Sequence, residues 1–216
     1  MSRTRHVSAV VPVKDLWGTK SRLAPILDPG ARAGLTLYMM GRVVRAIAEA
    51  GVEDICVVSP DRMVLEEAKR RGATPLVQES RGLNPALEEG RRRALGLGAS
   101  TLLVLPADLP LLEAGDVLAV LQETGEGPSA VISPDGMRAG TNALLIQPPM
   151  SCPSLSGQTA SKHTSGLPAG ATWTSGSASD PTWPSISILR ETLPVSERPG
   201  QRAREGGRGA WCRGLP

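Results

Sequence analysis

The sequence predicts an α/β fold in which helices wrap a mixed, mostly parallel sheet, and three observations predict it. From Val7 to about Pro148, short β-branched runs alternate with amphipathic helical segments. Leu35, Met39, Val43 and Ile47 recur every four residues, which lines them along one buried helix face. The length, 216 residues, is enough for one α/β core and short for two full domains.

The elements follow in order. Behind a basic start, Val7–Val13 reads as a first strand; its apolar run of about seven residues is shorter than a secretory signal needs. The periodic helix around Leu35–Ile47 comes next, then a strand at Asp54–Ser59, a helix at Val64–Arg71 stopped by Gly72, and a strand at Thr74–Val77. A helix at Pro85–Leu97, stopped by Gly98, leads to a strand at Thr101–Leu105. Glu113–Glu123 reads as a fourth helix, and Ala130–Ser133 and Asn142–Ile146 as the last strands. This divides the chain into a patterned domain, 1–148, and a segment, 149–216, crowded with Ser, Thr, Gly and Pro and without a lasting period, expected to be a disordered tail.

Charge excludes one class of function. The whole chain carries +3, but residues 1–148 balance 17 Lys and Arg against 17 Asp and Glu, so the excess, 7 against 4, sits in the tail. A patterned domain without basic excess and without interleaved aromatics argues against a nucleic-acid binder. Cys56, Cys152 and Cys212 form no CxxC pair, which favours free thiols over a disulfide framework or a zinc site. No apolar stretch approaches membrane-spanning length, so a cytoplasmic protein without membrane partners is expected.

The residues suited to chemistry lie where strands end. In Val104-Leu105-Pro106-Ala107-Asp108-Leu109-Pro110 a carboxylate follows directly on an apolar strand, and in open α/β sheets those carboxyl ends form the ligand crevice. Asp108 there is either a turn former between prolines or a ligand for Mg²⁺, which prefers hard oxygens and shares one or two carboxylates with substrate phosphates. After the first strand, Lys14, Lys20 and Arg22 fall within nine residues around Gly18, a spacing that suits either a solvated loop or a clamp on a triphosphate. The loop lacks P-loop spacing. Asn84 precedes the Pro85–Leu97 helix and reads first as its N-cap. Thr141, just before the last strand, offers a hydroxyl that could equally be structural or meet a small acid. His6 and His163 stand apart from any nucleophile or metal constellation.

Taken together, VPVKDLWGTKSRLAPILDPGAR, GLNPALEEG, LLVLPADLPLL and GTNALL resemble the CofC/FbiD family of phospholactate and phosphoenolpyruvate guanylyltransferases over about residues 7–148. The resemblance implies a three-layer α/β/α sandwich of the GT-A-like nucleotidyltransferase (nucleotide-diphospho-sugar transferase) type. It also implies binding of GTP and Mg²⁺, and transfer of GMP to phosphoenolpyruvate or 2-phospho-L-lactate with release of pyrophosphate, the product passing to the next transferase of coenzyme F420 biosynthesis. Carried over residue by residue, Asp108 becomes a metal ligand and catalytic group. Lys20 and Arg22 become catalytic triphosphate contacts, Lys14 and Asn84 nucleotide contacts, and Thr141 a contact to the phosphorylated acid. A homodimer is allowed. Related enzymes carry a Gly-rich first loop, which the Lys and Arg loop replaces here.

The family continues with segments like LPFAFGPDSF and DIDTPEDL, and neither follows Pro149. Reading the degenerate codons one frame over, Met150–Ser165 is compatible with VLPFAFGPDSFQTHL and Thr182–Pro194 with LAIDIDTPGDLA. One slip near residues 148–150 explains both, together with the absence of Phe, the three Trp of the tail and its isolated basicity. Three other readings compete. One is a nucleotidyltransferase with another acceptor, such as a molybdenum-cofactor guanylyltransferase, which the missing Gly-rich loop disfavours. Another is a non-catalytic or decayed GTP-binding protein, which would bind GTP without releasing pyrophosphate. The nucleic-acid binder is third.

Overall fold

The structure, a computed structural model, describes residues 6–17, 19–124, 127, 129–134, 141–149 and, for the backbone, 189–192. The elements run β1 (Val7–Pro12), α1 (Pro29–Glu49), β2 (Asp54–Ser59), α2 (Arg62–Arg70), β3 (Thr74–Val77), α3 (Leu83–Gly96), β4 (Thr101–Val104), α4 (Ala114–Gln122), β5 (Ser129–Pro134), β6 (Thr141–Gln147) and β7 (Leu189–Thr192). They build one sheet in the order β3-β2-β1-β4-β6-β5-β7. Strands β1 to β4 pair in parallel, whereas β6 runs against β4, β5 against β6 and β7 against β5. The parallel half is the expected one. Its antiparallel flank follows from chain length, since the six residues between β5 and β6 are too few for the crossover that a parallel pair needs.

Alternation along the strands sorts the core into two. Ala9 and Val11 of β1, Val57 of β2 and Leu103 of β4 face Met40, Val43, Val44 and Ile47 of α1, Val64 and Ala68 of α2, and Val117 and Val120 of α4. Val10, Cys56, Val58, Leu102 and Val104 face the other way, onto Ala86, Leu87 and Ala94 of α3. The sheet therefore lies between α1, α2 and α4 on one side and α3 on the other, in three layers. Because the chain turns back after β3 to place β4 beside β1, a right-handed crossover must put α3 on the opposite face from α1 and α2. The point of reversal lies between β1 and β4.

Caps set the helix ends. The Asp28 carboxylate accepts from the Ala31 amide with Pro29 in the first turn, and the Asp61 carboxylate accepts from Met63. Gly72 and Gly98 follow α2 and α3 at φ 83° and 76°, conformations that stop a helix and favour glycine. In the α1 face, Met39, Val43 and Ile47 are buried as expected, Leu35 only partly, and Met40 and Val44 widen the buried stripe. Of the chain beyond Pro149, Leu189–Thr192 is described, as the edge strand on β5; the FGPDS-like segment sought at Met150–Ser165 lies outside the described residues.

Two helical glycines should respond differently to substitution. A Cβ on Gly90 of α3 would stand 2.6 Å from Val10 Cγ1 in the packed interface with β1, whereas one on Gly41 of α1 would meet the guanidinium end of Arg71, a long side chain whose Nε is ion-paired to Glu67 Oε1 at 2.8 Å. We expect Gly90→Ala to destabilise the fold by about 1–3 kcal/mol through overpacking. Gly41→Ala gains about 0.5–1 kcal/mol of helix propensity but must shift Arg71 against its ion pair with Glu67, so its net effect should stay within about 1 kcal/mol of wild type. Urea unfolding of the two variants checks the contrast.

Candidate functional site

In a sheet with its reversal between β1 and β4, the loops leaving these two strands diverge and open a crevice between their carboxyl ends. The structure brings Lys20, from the loop after β1, and Asp108, from the loop after β4, together in that crevice: Lys20 Nζ lies 3.1 Å from Asp108 Oδ2. Ladder bonds run on past the strands, from the Val13 amide to the Val58 carbonyl and from the Leu105 amide to the Val10 carbonyl, so both loops start from fixed points.

The first loop is pinned on both sides of its tip. Leu16 is buried, and its amide donates to Asp61 Oδ2 at 3.0 Å, tying the loop to the residue that caps α2. Thr19 Oγ1 donates to the Leu16 carbonyl and accepts from Thr36 Oγ1, while Arg32 Nη1 donates to the Thr19 carbonyl, tying the loop to the start of α1. Between these anchors Trp17 projects into solvent. Lys20 sits at φ 51°, in the left-handed region that non-glycine residues seldom adopt, immediately before a 3-10 turn at Ser21–Leu23. That turn carries Arg22, exposed like Lys14, and among the described residues neither has an ion-pair partner.

The remaining expected residues lie along the same edge. β6 begins at Thr141, three residues before Leu144, the partner of Val104, so the half-buried Thr141 stands where β4 ends. Asn84 is not the N-cap of α3, as the sequence suggested. The helix starts two residues earlier than expected, at Leu83, with Gly82 in the cap position at φ 113° and Asn84 exposed in the first turn. The loop before it is ordered by its own side chains: the Gln78 amide donates to the Gly82 carbonyl at 2.7 Å, and the Glu89 carboxylate accepts from the amides of Glu79 and Ser80. Asp61, Thr19, Arg32, Thr36 and Glu89 were not singled out in the sequence. Only Asp61 had a readable signal, an acidic residue just ahead of a helical period.

For a hard divalent cation the crevice offers the carboxylate of Asp108 beside Lys20, and no group of three or more His, Cys, Asp or Glu side chains gathers among the described residues. That fits a cation shared with bound phosphates better than a cage built by protein alone. Cys56 is fully buried on β2, out of reach of a substrate, and burial foremost pushes its thiol up to about 11, which agrees with a structural role. No helix among the described residues is long and apolar enough to cross a membrane.

Residues 7–163 match the family model described as guanylyl transferase CofC like. A phosphoenolpyruvate guanylyltransferase of Rubrobacter xylanophilus is 63% identical over 147 residues, covering 68% of this chain and 72% of its own. One of Sphaerobacter thermophilus is 44% identical over 142 residues, 65% and 68% of the two chains. Among solved structures, a chain described as a nucleotide-diphospho-sugar transferase from Desulfovibrio desulfuricans superposes with a TM-score of 0.56 at 18% identity, over 69% of this chain and 67% of that one. A nucleotidyl transferase from Methanothermobacter gives 0.50 at 18% identity, over 77% and 78%. At such identities the structures share the fold with this chain.

Two outcomes follow from this geometry. Asp61→Ala removes both the α2 cap and the tether on Leu16, so we expect a loss of about 1–2 kcal/mol and faster proteolysis in the loop after β1, read by limited digestion. For Cys56 the thiol value is raised in the folded state, so its contribution is fully present below pH 9, the ordinary value, and is lost as pH rises towards about 11. Wild type should therefore lose stability between those values more steeply than Cys56→Ala, in urea titrations across pH.

Proposed function

This chain belongs to the CofC-like guanylyl transferase family, and from that premise we propose that it joins GMP from GTP to phosphoenolpyruvate, releasing pyrophosphate. The observation that carries the reading is the meeting of Lys20 with Asp108 between the carboxyl ends of β1 and β4, where an anion-seeking ammonium and a cation-seeking carboxylate can share one substrate. Relatives such as those from Rubrobacter and Sphaerobacter are named for phosphoenolpyruvate, which favours that acceptor over 2-phospho-L-lactate. The product would enter coenzyme F420 biosynthesis, in the cytoplasm.

In this reaction a phosphate oxygen of phosphoenolpyruvate attacks the α-phosphorus of GTP. A new phosphorus–oxygen bond forms, the bond from the α-phosphorus to the oxygen bridging it to the β-phosphorus breaks, and pyrophosphate carries away the electron pair. The chemistry requires alignment and charge neutralisation rather than a covalent enzyme intermediate. Lys14, Lys20 and Arg22 hold the triphosphate from the side of β1, Arg22 through a planar fork and the lysines as point charges. Asn84 meets the nucleotide further along the edge, and Thr141 places the acid by its hydroxyl. Asp108 would hold Mg²⁺, which when bound offsets charge on the phosphates.

We further propose that residues 149–216 reflect a one-base slip in the gene or its recorded sequence, so that the chain as written lacks the second metal carboxylate of the DID-like segment. The high identity to the Rubrobacter relative spans 147 residues, in keeping with this, although the family match runs on to residue 163. The chain as written should then be poorly active and marginally stable.

Pyrophosphate release with GTP, phosphoenolpyruvate and Mg²⁺, measured beside a frame-restored chain, tests the reading. We expect the restored chain to turn over much faster, with Asp108→Asn lowering its rate on the order of 100-fold and Lys20→Ala or Arg22→Ala raising the KM for GTP. Turnover untouched by Asp108→Asn would sink the assignment of the site. Equal rates for the two chains, or an intact frame on resequencing codons 140–216, would sink the slip.

A further inference from the structure

Glu89 is a carboxylate that the reaction as described does not use, yet its environment is unusual. It lies in the middle of α3, only 9% exposed, and among the described residues no Lys, Arg or His pairs with it. Instead its Oε2 accepts from the Glu79 amide at 3.1 Å and its Oε1 from the Ser80 amide at 3.1 Å. Burying an unpaired carboxylate is costly, and charge-assisted bonds from backbone amides are the compensation present. What those bonds hold is the turn between β3 and α3.

That turn is organised around them. The Gln78 amide nitrogen of the backbone donates to the Ser59 carbonyl, fixing the turn to the end of β2, and its side chain donates to the carbonyls of Ser80 and Gly82. Gly82, at φ 113°, then swings the chain into α3. Its glycine conformation supplies no side-chain cap, so the approach angle of the helix depends on the turn. The neighbouring Glu88 does something else: it is a partly exposed ion-pair partner of Arg91.

In the sheet, β3 is separated from β1 by β2 alone. Two interstrand spacings, roughly 10 Å, thus divide the β3–α3 turn from the loop carrying Lys14, Lys20 and Arg22. That is on the scale of a nucleotide from its phosphates to its base. We propose that Glu89 is a positioning residue for nucleotide binding: by holding the Glu79 and Ser80 amides it pre-organises the β3–α3 turn as the wall that meets the nucleoside end of GTP. This rests on the guanylyltransferase reading above. Glu89 touches no substrate and acts through the turn, so it governs affinity for the nucleoside part and leaves the phosphate part alone.

The test compares GTP with pyrophosphate as calorimetric ligands of the full-length chain in Mg²⁺ buffer, at a temperature where each variant is folded by circular dichroism. Pyrophosphate reports the cationic loop without the nucleoside. Glu89→Gln replaces one acceptor by an NH₂ facing a backbone donor, and should weaken GTP binding about tenfold while pyrophosphate binding stays within twofold of wild type. Glu88→Gln should change neither. Glu89→Asp keeps the charge but withdraws it by one methylene; it should give the same split and serves if the Gln variant does not fold. Equal losses for GTP and pyrophosphate, or no loss for GTP, would overturn the proposal while leaving the guanylyltransferase reading in place. Wild type that binds pyrophosphate but not GTP, or neither, both as written and in the frame-restored chain, would overturn both.

Discussion

The reversal of chain direction between β1 and β4 is the constraint on which the rest depends. Right-handed crossovers allow a parallel strand to be added on either side of β1, but adding it on the second side obliges its helix to cover the other face. That one choice sends α3 to the face opposite α1 and α2, divides the core into its two clusters, and separates the loops that leave β1 and β4. It also explains why α3 must press so closely on the sheet: Gly90 lets the helix backbone sit directly over Val10 of the central strand. Packing on the buried side thereby decides where the crevice opens on the solvent side.

The crevice is held by backbone anchors more than by its ion pair. Lys20 and Asp108 are about one quarter and more than one half exposed, and pairs as open to water as this contribute roughly 0–1 kcal/mol. The left-handed conformation of Lys20 costs a comparable amount, on the order of 1 kcal/mol. The pair therefore cannot fix the loop. Asp61, Thr36 and Arg32 do so, through the Leu16 amide and both oxygens of Thr19. Such a division suits a binding site, since the frame stays in place while the Lys20 ammonium and the Asp108 carboxylate remain cheap to part.

The fold was legible because most of its signals are local. The strands Asp54–Ser59 and Thr74–Val77 read directly from β-branched runs, and Gly72 and Gly98 marked the ends of two helices. Helix starts were less legible. Apolar periodicity begins at Val64 and Pro85, whereas hydrogen bonding begins at Arg62 and Leu83, because caps are set by a single polar or glycine residue outside the period. Asn84 was misread for that reason. Of the site, Asp108 and Lys20 could each be named from strand-end position and resemblance, but their contact joins residues 88 apart in sequence, and only the strand order brings them together. The anchors on Thr19 and the Glu89 carboxylate left no pattern at all: a buried glutamate in a helix reads as any other glutamate until the turn folds over it.

Charge bears on why the proposed ligand would bind at this edge. Residues 1–148 are neutral overall, so no long-range field draws polyanions to the surface at large. At the crevice the balance is local. Lys20 already offsets Asp108, leaving Lys14 and Arg22 without ion-pair partners among the described residues. A triphosphate brings more negative charge than these two cations can neutralise. If it draws Lys20 away, Asp108 is left bare beside further anionic oxygens, and the deficit grows. On the proposed function, such an arrangement would favour a triphosphate that arrives with its own divalent cation over the same anion without one. On the proposed function, the residues of the crevice would thus favour a nucleotide that brings its own metal ion, with Asp108 supplying one carboxylate to it.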